Sequence, residues 1–196
     1  MSEPFIRAIE IEKTYRRHKV LCVSKLEVGC GHTTLVGENG SGKTTLLKLL
    51  ARVIPPSRGR LVWSESLSGK RIAFVPQVGG LYPTLTIKEN FELNAGLYNV
   101  ALESYAGTIQ RLGVERFLHQ PAQTLSGGFQ KLAAVVCALS IAPYGLFIDE
   151  PFSGLDSNHS DILLEELERP RSHLEFLVTT DHAIREGFNV QNVLKL

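Results

Sequence analysis

Residues 5–12, Phe-Ile-Arg-Ala-Ile-Glu-Ile-Glu, alternate apolar with polar side chains, the period of a strand with one buried face, and 20–28 is also strand-like. The first thirty or so residues therefore predict a half-exposed antiparallel sheet. The pattern then changes. Thr33-Thr34-Leu35-Val36 is a short buried-strand run ending in a Gly-rich turn, and Leu46, Leu47, Leu49 and Leu50 give one apolar face to a helix that stops before Pro55-Pro56. Three further short apolar runs, at 72–75, 146–148 and 176–178, end against Gln77, Asp149-Glu150 and Asp181-His182. In an open α/β sheet, ligands gather at such carboxyl ends of strands. Between about 84 and 142 the period turns helical, with amphipathic stretches near 86–97 and 103–118 and an apolar helix from about 127 to 141. The prediction is an α/β core with an N-terminal antiparallel β subdomain and an inserted helical subdomain at about 84–142.

Composition narrows the function. A chain of 196 residues with 43% hydrophobic and 21% charged residues has the profile of a soluble globular protein. With 21 basic and 20 acidic side chains, it lacks the basic excess that nucleic acid or an anionic membrane surface would select, so neither is expected as a partner. Cys22, Cys30 and Cys137 are odd in number and form no CxxC, which fits reduced, small apolar residues in a cytoplasmic protein. No signal-like apolar stretch opens the chain, and the longest apolar run, 132–142, is far short of the ~20 residues that span a bilayer. Membrane contact is therefore expected only through a partner.

Gly37-Glu38-Asn39-Gly40-Ser41-Gly42-Lys43-Thr44 fits G-x-x-x-x-G-K-[ST] after a strand and before a helix, the context of a phosphate-binding P-loop. Glycines let backbone N–H groups turn inward around phosphate oxygens, and the helix N-terminus adds its positive end. Lys43 is placed to contact the β- and γ-phosphates and Thr44 to ligate Mg²⁺. Leu146-Phe147-Ile148-Asp149-Glu150 is an apolar strand ending in two carboxylates; in a P-loop protein the first holds the Mg²⁺ shell, and the second can activate water. Leu125-Ser126-Gly127-Gly128 opens the apolar helix with a cap and an anion-binding surface.

Taken in order, these residues resemble the nucleotide-binding subunits of ABC transporters over nearly the whole chain. The stretch 37–44 is similar to Walker A, Val75-Pro76-Gln77 to the Q-loop, 125–128 to the signature and 146–150 to Walker B. Ser153-Gly154-Leu155-Asp156 is similar to the D-loop, Thr180-Asp181-His182 to the switch-histidine region, and Tyr15 to the aromatic that stacks on adenine. The resemblance implies a single ABC-type ATPase domain over 1–196, in which two copies close head to tail on two ATP molecules with Mg²⁺. Tyr15, Gly37, Glu38, Asn39, Gly40, Ser41, Gly42, Lys43, Thr44 and Thr45 would hold ATP from one subunit, Ser126, Gly127 and Gly128 would complete its site from the other, and Asp156 of the D-loop would also bind nucleotide. It further implies metal contacts from Thr44, Gln77 and Asp149, a catalytic base in Glu150, and a water- and phosphate-positioning role for His182 and Gln77.

Three departures stand out. Phe129 replaces a common Gln, Leu132 and Cys137 stand where Arg is common, and Asp181 before His182 replaces the commoner Thr. The short stretch after His182 is expected to leave no room for a regulatory domain. The reading is an ATPase subunit on the cytoplasmic face of the membrane, energising separate transmembrane permease subunits and paired with a second ABC ATPase subunit, identical or not. The segment 81–90 resembles export-type subunits, and apolar residues near Leu81 and Tyr82 are expected to receive a coupling helix. The alternative is a soluble ABC ATPase that drives complex assembly, of the iron–sulfur cluster biogenesis type.

Overall fold

The alternating N-terminal stretch forms β1 (Ile6–Tyr15), which pairs antiparallel with β2 (His18–Val28) through a turn at Arg16 and Arg17, both at positive φ. Ile6 and Ala8 take the buried face two residues apart, and Ile11 returns to it one residue out of phase, because Glu10 at φ 51° interrupts the period where the register with the strand on the other edge of β1 also shifts. The computed structural model describes residues 3–184 and 186–196. It divides into two compact units, Met1–Phe74 with Tyr144–Asp149 and Leu174–Leu196, and Val75–Pro143 with Glu150–His173.

In the first unit β4 (Arg58–Trp63) joins the free edge of β1, giving a three-stranded antiparallel sheet in the order β2-β1-β4. A second sheet has the order β5-β6-β7-β3-β8, from β3 (Gly31–Val36), β5 (Ile72–Val75), β6 (Gly145–Ile148), β7 (Phe176–Asp181) and β8 (Asn192–Lys195). β7 runs parallel to β3 and β6, and β8 runs parallel to β3. The helix expected after the Gly-rich turn is α1 (Lys43–Leu50), and its four leucines are fully buried in one cluster with Leu35, Phe147 and Val178. That burial fixes the start of α1 at the carboxyl end of β3, beside the ends of β6 and β7.

The second unit is mainly helical: α2 (Ile87–Tyr98), α3 (Ala106–Arg111), α4 (Gly127–Ser140) and α5 (Ser157–Glu168). A reciprocal capping box between Thr86 and Glu89 starts α2. Apolar nearly all round, α4 is buried over most of its length, as such a helix must be. The amphipathic stretch at 103–118 is not one helix. It breaks into a 3-10 turn at Leu102–Tyr105, α3, and a second 3-10 turn at Glu115–Phe117, because Gly113 adopts the left-handed conformation that ends a helix. This unit is also wider than the stretch 84–142. It starts at Val75 and takes in α5, which the buried carboxylate of Glu166 ties to Arg111 of α3. Among the described residues no helix is long and apolar enough to cross a membrane.

Candidate nucleotide site

At the head of α1 the backbone does what the glycine spacing predicts. Gly42 is the N-cap at φ 98°, a conformation that side chains with a Cβ resist. Gly37 is required for another reason: a Cβ there would lie 2.7 Å from the carbonyl oxygen of Leu196 and 2.8 Å from Ser41 Oγ. The Lys43 ammonium is buried and donates to the carbonyls of Gly37 (2.7 Å) and Glu38 (2.8 Å), which bends the loop around it. Two of its three N–H donors are thereby engaged. Ser41 Oγ is buried in the same loop with no hydrogen-bond partner among the described residues, a group for which a bound anion would be an acceptor.

Thr44 Oγ1 donates to Asp149 Oδ1 at 3.0 Å, and Thr180 Oγ1 donates to the same oxygen at 2.7 Å. Three strand or helix termini thus converge: the first turn of α1, the residue after β6, and β7 one residue before its end. Asp149 is 1% exposed, so its carboxylate is directed by these hydroxyls rather than by water. A hydroxyl and a carboxylate oxygen side by side are the hard donors that Mg²⁺ takes when it keeps most of its water and a phosphate. The residues fit that ion: Thr44 and Asp149 would hold it, and its charge would offset that of bound phosphates. Thr180 was quoted in the switch motif without a role of its own; a hydroxyl one residue before a strand's last position was the only trace of it in the sequence.

His182 follows the last residue of β7, and its N–H is held by Asp181 Oδ1 at 2.7 Å. The imidazole is exposed. Tyr15 closes β1 with its ring 46% exposed and Lys13 Nζ 5.2 Å from the ring centroid. An exposed aromatic at the end of a strand is available to stack on a flat ligand.

In the second unit Gln77 Nε2 donates to Glu150 Oε2 at 2.7 Å, so the amide that the resemblance offers as a metal ligand here orients the candidate base. Glu150 itself has φ 45°, a left-handed backbone of the kind that strained functional residues show. Beside it, Lys131 of α4 donates to the carbonyl of Pro76 at 2.7 Å and anchors the loop that carries Gln77. Ser126 is the N-cap of α4, with Gly127 and Gly128 in the first turn. Asp156 is the N-cap of α5, its Oδ1 accepting the His159 N–H at 2.9 Å. That bond and the His159 side chain hold the Asp156 carboxyl below its usual range.

The family model described as ABC transporter matches residues 24–153, from β2 through the loop after Glu150. The chain belongs to the ABC transporter family. Relatives within the family include the molybdate/tungstate import ATP-binding protein WtpC of Pyrococcus horikoshii, 32% identical over 94% of this chain and 57% of that protein. The zinc import ATP-binding protein ZnuC of Halorhodospira halophila is 37% identical over 82% of this chain and 61% of that protein. The chain thus spans under two thirds of the length of these family relatives. A solved structure described as the ATP binding subunit of an ABC transporter superposes with a TM-score of 0.75 at 26% identity, covering 90% of this chain and 79% of the other. The α/β architecture with one parallel and one antiparallel sheet is that of the ABC ATPase structures.

Proposed function

We propose that this chain binds ATP with Mg²⁺, hydrolyses it, and thereby powers a membrane transporter through head-to-tail pairing with a second ABC ATPase subunit. The observation that carries the reading is the convergence of Thr44 and Thr180 on Asp149 at the head of a P-loop helix whose lysine is already cradled. On this reading the loop 37–45 and Lys43 bind the phosphates, Tyr15 stacks on the base, and Glu150, oriented by Gln77, takes the proton of the attacking water. His182 positions that water against the γ-phosphate. Ser126, Gly127, Gly128 and Asp156 act on the nucleotide held by the partner subunit. The two compact units work together as one ATPase domain.

Import is the direction we propose. The segment 81–90 resembles export-type subunits, but the named relatives are import proteins. Those names also give no support to the complex-assembly alternative. Their cargoes differ from one another, which is consistent with cargo choice lying in permease subunits. Permease docking on the cytoplasmic face is supported by Val78 and Tyr82, 84% and 58% exposed in the loop after Gln77. Buried Asn90 shapes that loop: its Oδ1 accepts the Tyr82 N–H at 2.7 Å, and its amide donates to the carbonyls of Tyr82 and Thr86.

The deciding experiment is phosphate release from Mg²⁺-ATP by the purified chain, alongside Lys43→Ala. Affinity purification of the Glu150→Gln protein with ATP from gently solubilised cells then identifies the partner. Turnover abolished by Lys43→Ala, with a multi-span protein recovered in near-equal amount, supports the reading. No turnover, or soluble partners alone, sinks it.

A further inference from the structure

Phe129, the side chain that departs from the resemblance, is built into a specific arrangement. From the first turn of α4 its ring lies 4.5 Å, centroid to centroid, from Phe117, and it meets His159 edge-on at 4.9 Å and 79°. Arg116 covers both phenyl rings, its guanidinium carbon 4.8 Å from one centroid and 5.1 Å from the other. On its other side the His159 ring is fastened to the N-cap of α5: its Nδ1 lies 2.7 Å from Asp156 Oδ2, and the backbone N–H of His159 donates to Asp156 Oδ1. A side chain 18% exposed therefore bridges Phe129 and Asp156.

The backbones meet as well. A Cβ at Gly128 would lie 2.5 Å from the carbonyl oxygen of Gly154, whereas one at Gly127 would touch nothing within 4 Å. The turn 126–128 and the loop 154–156 are thus in direct contact at Gly128 and clamped beside it by two rings. Between them lies a cavity of about 40 Å³ lined by Ser126, Phe129, Asp156 and His159 among others. A glutamine at 129 would place a polar, mobile group here; the phenyl ring gives a contact with fixed geometry.

We propose that Phe129 and His159 are positioning residues that lock the Ser126–Gly128 turn onto the Asp156 loop, so that both reach the partner subunit's nucleotide as one rigid element. The proposal rests on the ATPase reading above. It explains how a less polar signature helix still presents an ordered anion-binding turn: the order comes from Phe117, Phe129 and His159 rather than from a polar side chain at 129.

The test uses the full chain with Phe129→Ala, Phe129→Leu, Phe129→Tyr, His159→Ala and the double variant Phe129→Ala/His159→Ala. The nucleotide-free readout is hydrogen exchange at the His159 and Phe129 amides. Loss of either ring is expected to speed exchange at the other residue's amide by about tenfold, as release of a local tie does. Unchanged exchange overturns the lock. The second readout is steady-state ATPase: Phe129→Ala lowers kcat about tenfold with KM within about twofold, since the P-loop still binds substrate. Phe129→Tyr retains the rate, and the double variant is no slower than the slower single variant, because both remove one link. Unchanged kcat, KM rising in step with the loss, or losses that multiply overturn the proposal. Phe129→Leu keeps apolar volume without a ring and must show the kcat loss even if the alanine variant does not fold. Exchange coupling in the variants together with no ATP turnover by the unsubstituted protein overturns the ATPase reading and leaves the lock standing.

Discussion

The side-chain amide of Gln77 donates to Glu150 Oε2 at 2.7 Å, linking the loop after β5 to the loop after β6 within the helical unit. The bond orients the Glu150 side chain through a neutral donor, and the proposed general base acting on water needs such a fixed orientation. Glu150→Gln preserves size and removes the proposed base. The expected result is a fall in kcat of about 10²–10⁴ with ATP affinity retained, read by phosphate release and by equilibrium nucleotide binding. A variant that turns over at the original rate would remove Glu150 from the reaction.

Tyr15 makes a separate prediction because so little of the fold depends on it. Its ring is 46% exposed, so Tyr15→Ala should leave the urea midpoint almost unchanged. If the ring stacks on adenine, the loss should weaken nucleotide binding by about 1–3 kcal/mol, the range for one aromatic under a base, and Tyr15→Trp should restore it. Titration calorimetry with Mg²⁺-ATP measures this directly, and equal affinity in Tyr15→Ala would place the base elsewhere.

What the sequence made legible follows the strength of each local signal. The P-loop could be read because eight positions, a strand and a helix all agree, and α1 begins at Lys43 as that agreement requires. The antiparallel sheet was visible in β1 through its period of two, but its third strand was not. β4 reads Arg-Gly-Arg-Leu-Val-Trp, too polar at its start to declare a strand before β1 pairs with it. β8 is short and mostly exposed, so it carries hardly any apolar pattern and forms because β3 offers it a parallel edge. At the site, Asp149 and Glu150 were legible from chain position. Thr180 as the neighbour of Asp149 was not, since its role exists only once β6 and β7 lie side by side. His159 was equally silent, because its bond to Asp156 is local but its contact with Phe129 joins two helices distant in sequence.

Gly145 at the start of β6 faces the ring of Phe176, and a Cβ there would fall 2.0 Å from Phe176 Cζ. That ring cannot simply move away, since Phe5 and Phe147 pack against it at 5.3 Å and 5.7 Å between centroids. Gly145→Ala should therefore cost about 1–3 kcal/mol by overpacking, seen as a lower urea midpoint at unchanged slope. A variant as stable as the parent would mean that the two strands separate more easily than this packing allows.

Glu166 on α5 is 2% exposed and binds Arg111, Arg169 and Arg171. Burial alone would raise its pKa, but the hydrogen bonds from Arg111 and Arg169 and the charges of Arg171 and Arg111 outweigh it and hold the carboxyl below its usual range. A carboxylate depressed in the folded state contributes stability above its unfolded pKa, and this is lost as pH falls through the folded value. Glu166→Ala leaves Arg171, whose side chain is 10% exposed, without its counter-charge. Since the other two arginines still reach water, the expected cost is at the lower end for a broken buried pair, about 3 kcal/mol near neutral pH. The same variant should flatten the acid limb of the stability curve below about pH 4, where the parent loses this contribution. Denaturant titrations at pH 7 and pH 3 check both parts.

His32 sets a different pH window with the opposite charge change. It is 6% exposed in the sheet core, with Nε2 2.8 Å from Thr179 Oγ1 and 3.0 Å from Thr34 Oγ1, and its ring centroid is 4.1 Å from that of Phe188. Burial pushes its pKa down to about 4, against a smaller opposing effect from the backbone of Asn189. The unfolded chain takes up the proton near pH 6.5, whereas the folded chain resists it until about pH 4, so protonation favours unfolding. The neutral ring's contribution is complete above about pH 6.5 and is lost progressively down to pH 4. A shift of that size amounts to at most about 3 kcal/mol, of which about 2 kcal/mol should be gone by pH 5. Glu166 contributes little there, because its unfolded form titrates at lower pH. Urea midpoints at pH 7.5 and pH 5 should therefore differ clearly in the parent and much less in His32→Gln, which cannot take up a proton. Equal pH sensitivity in both proteins would show that some other group controls this window.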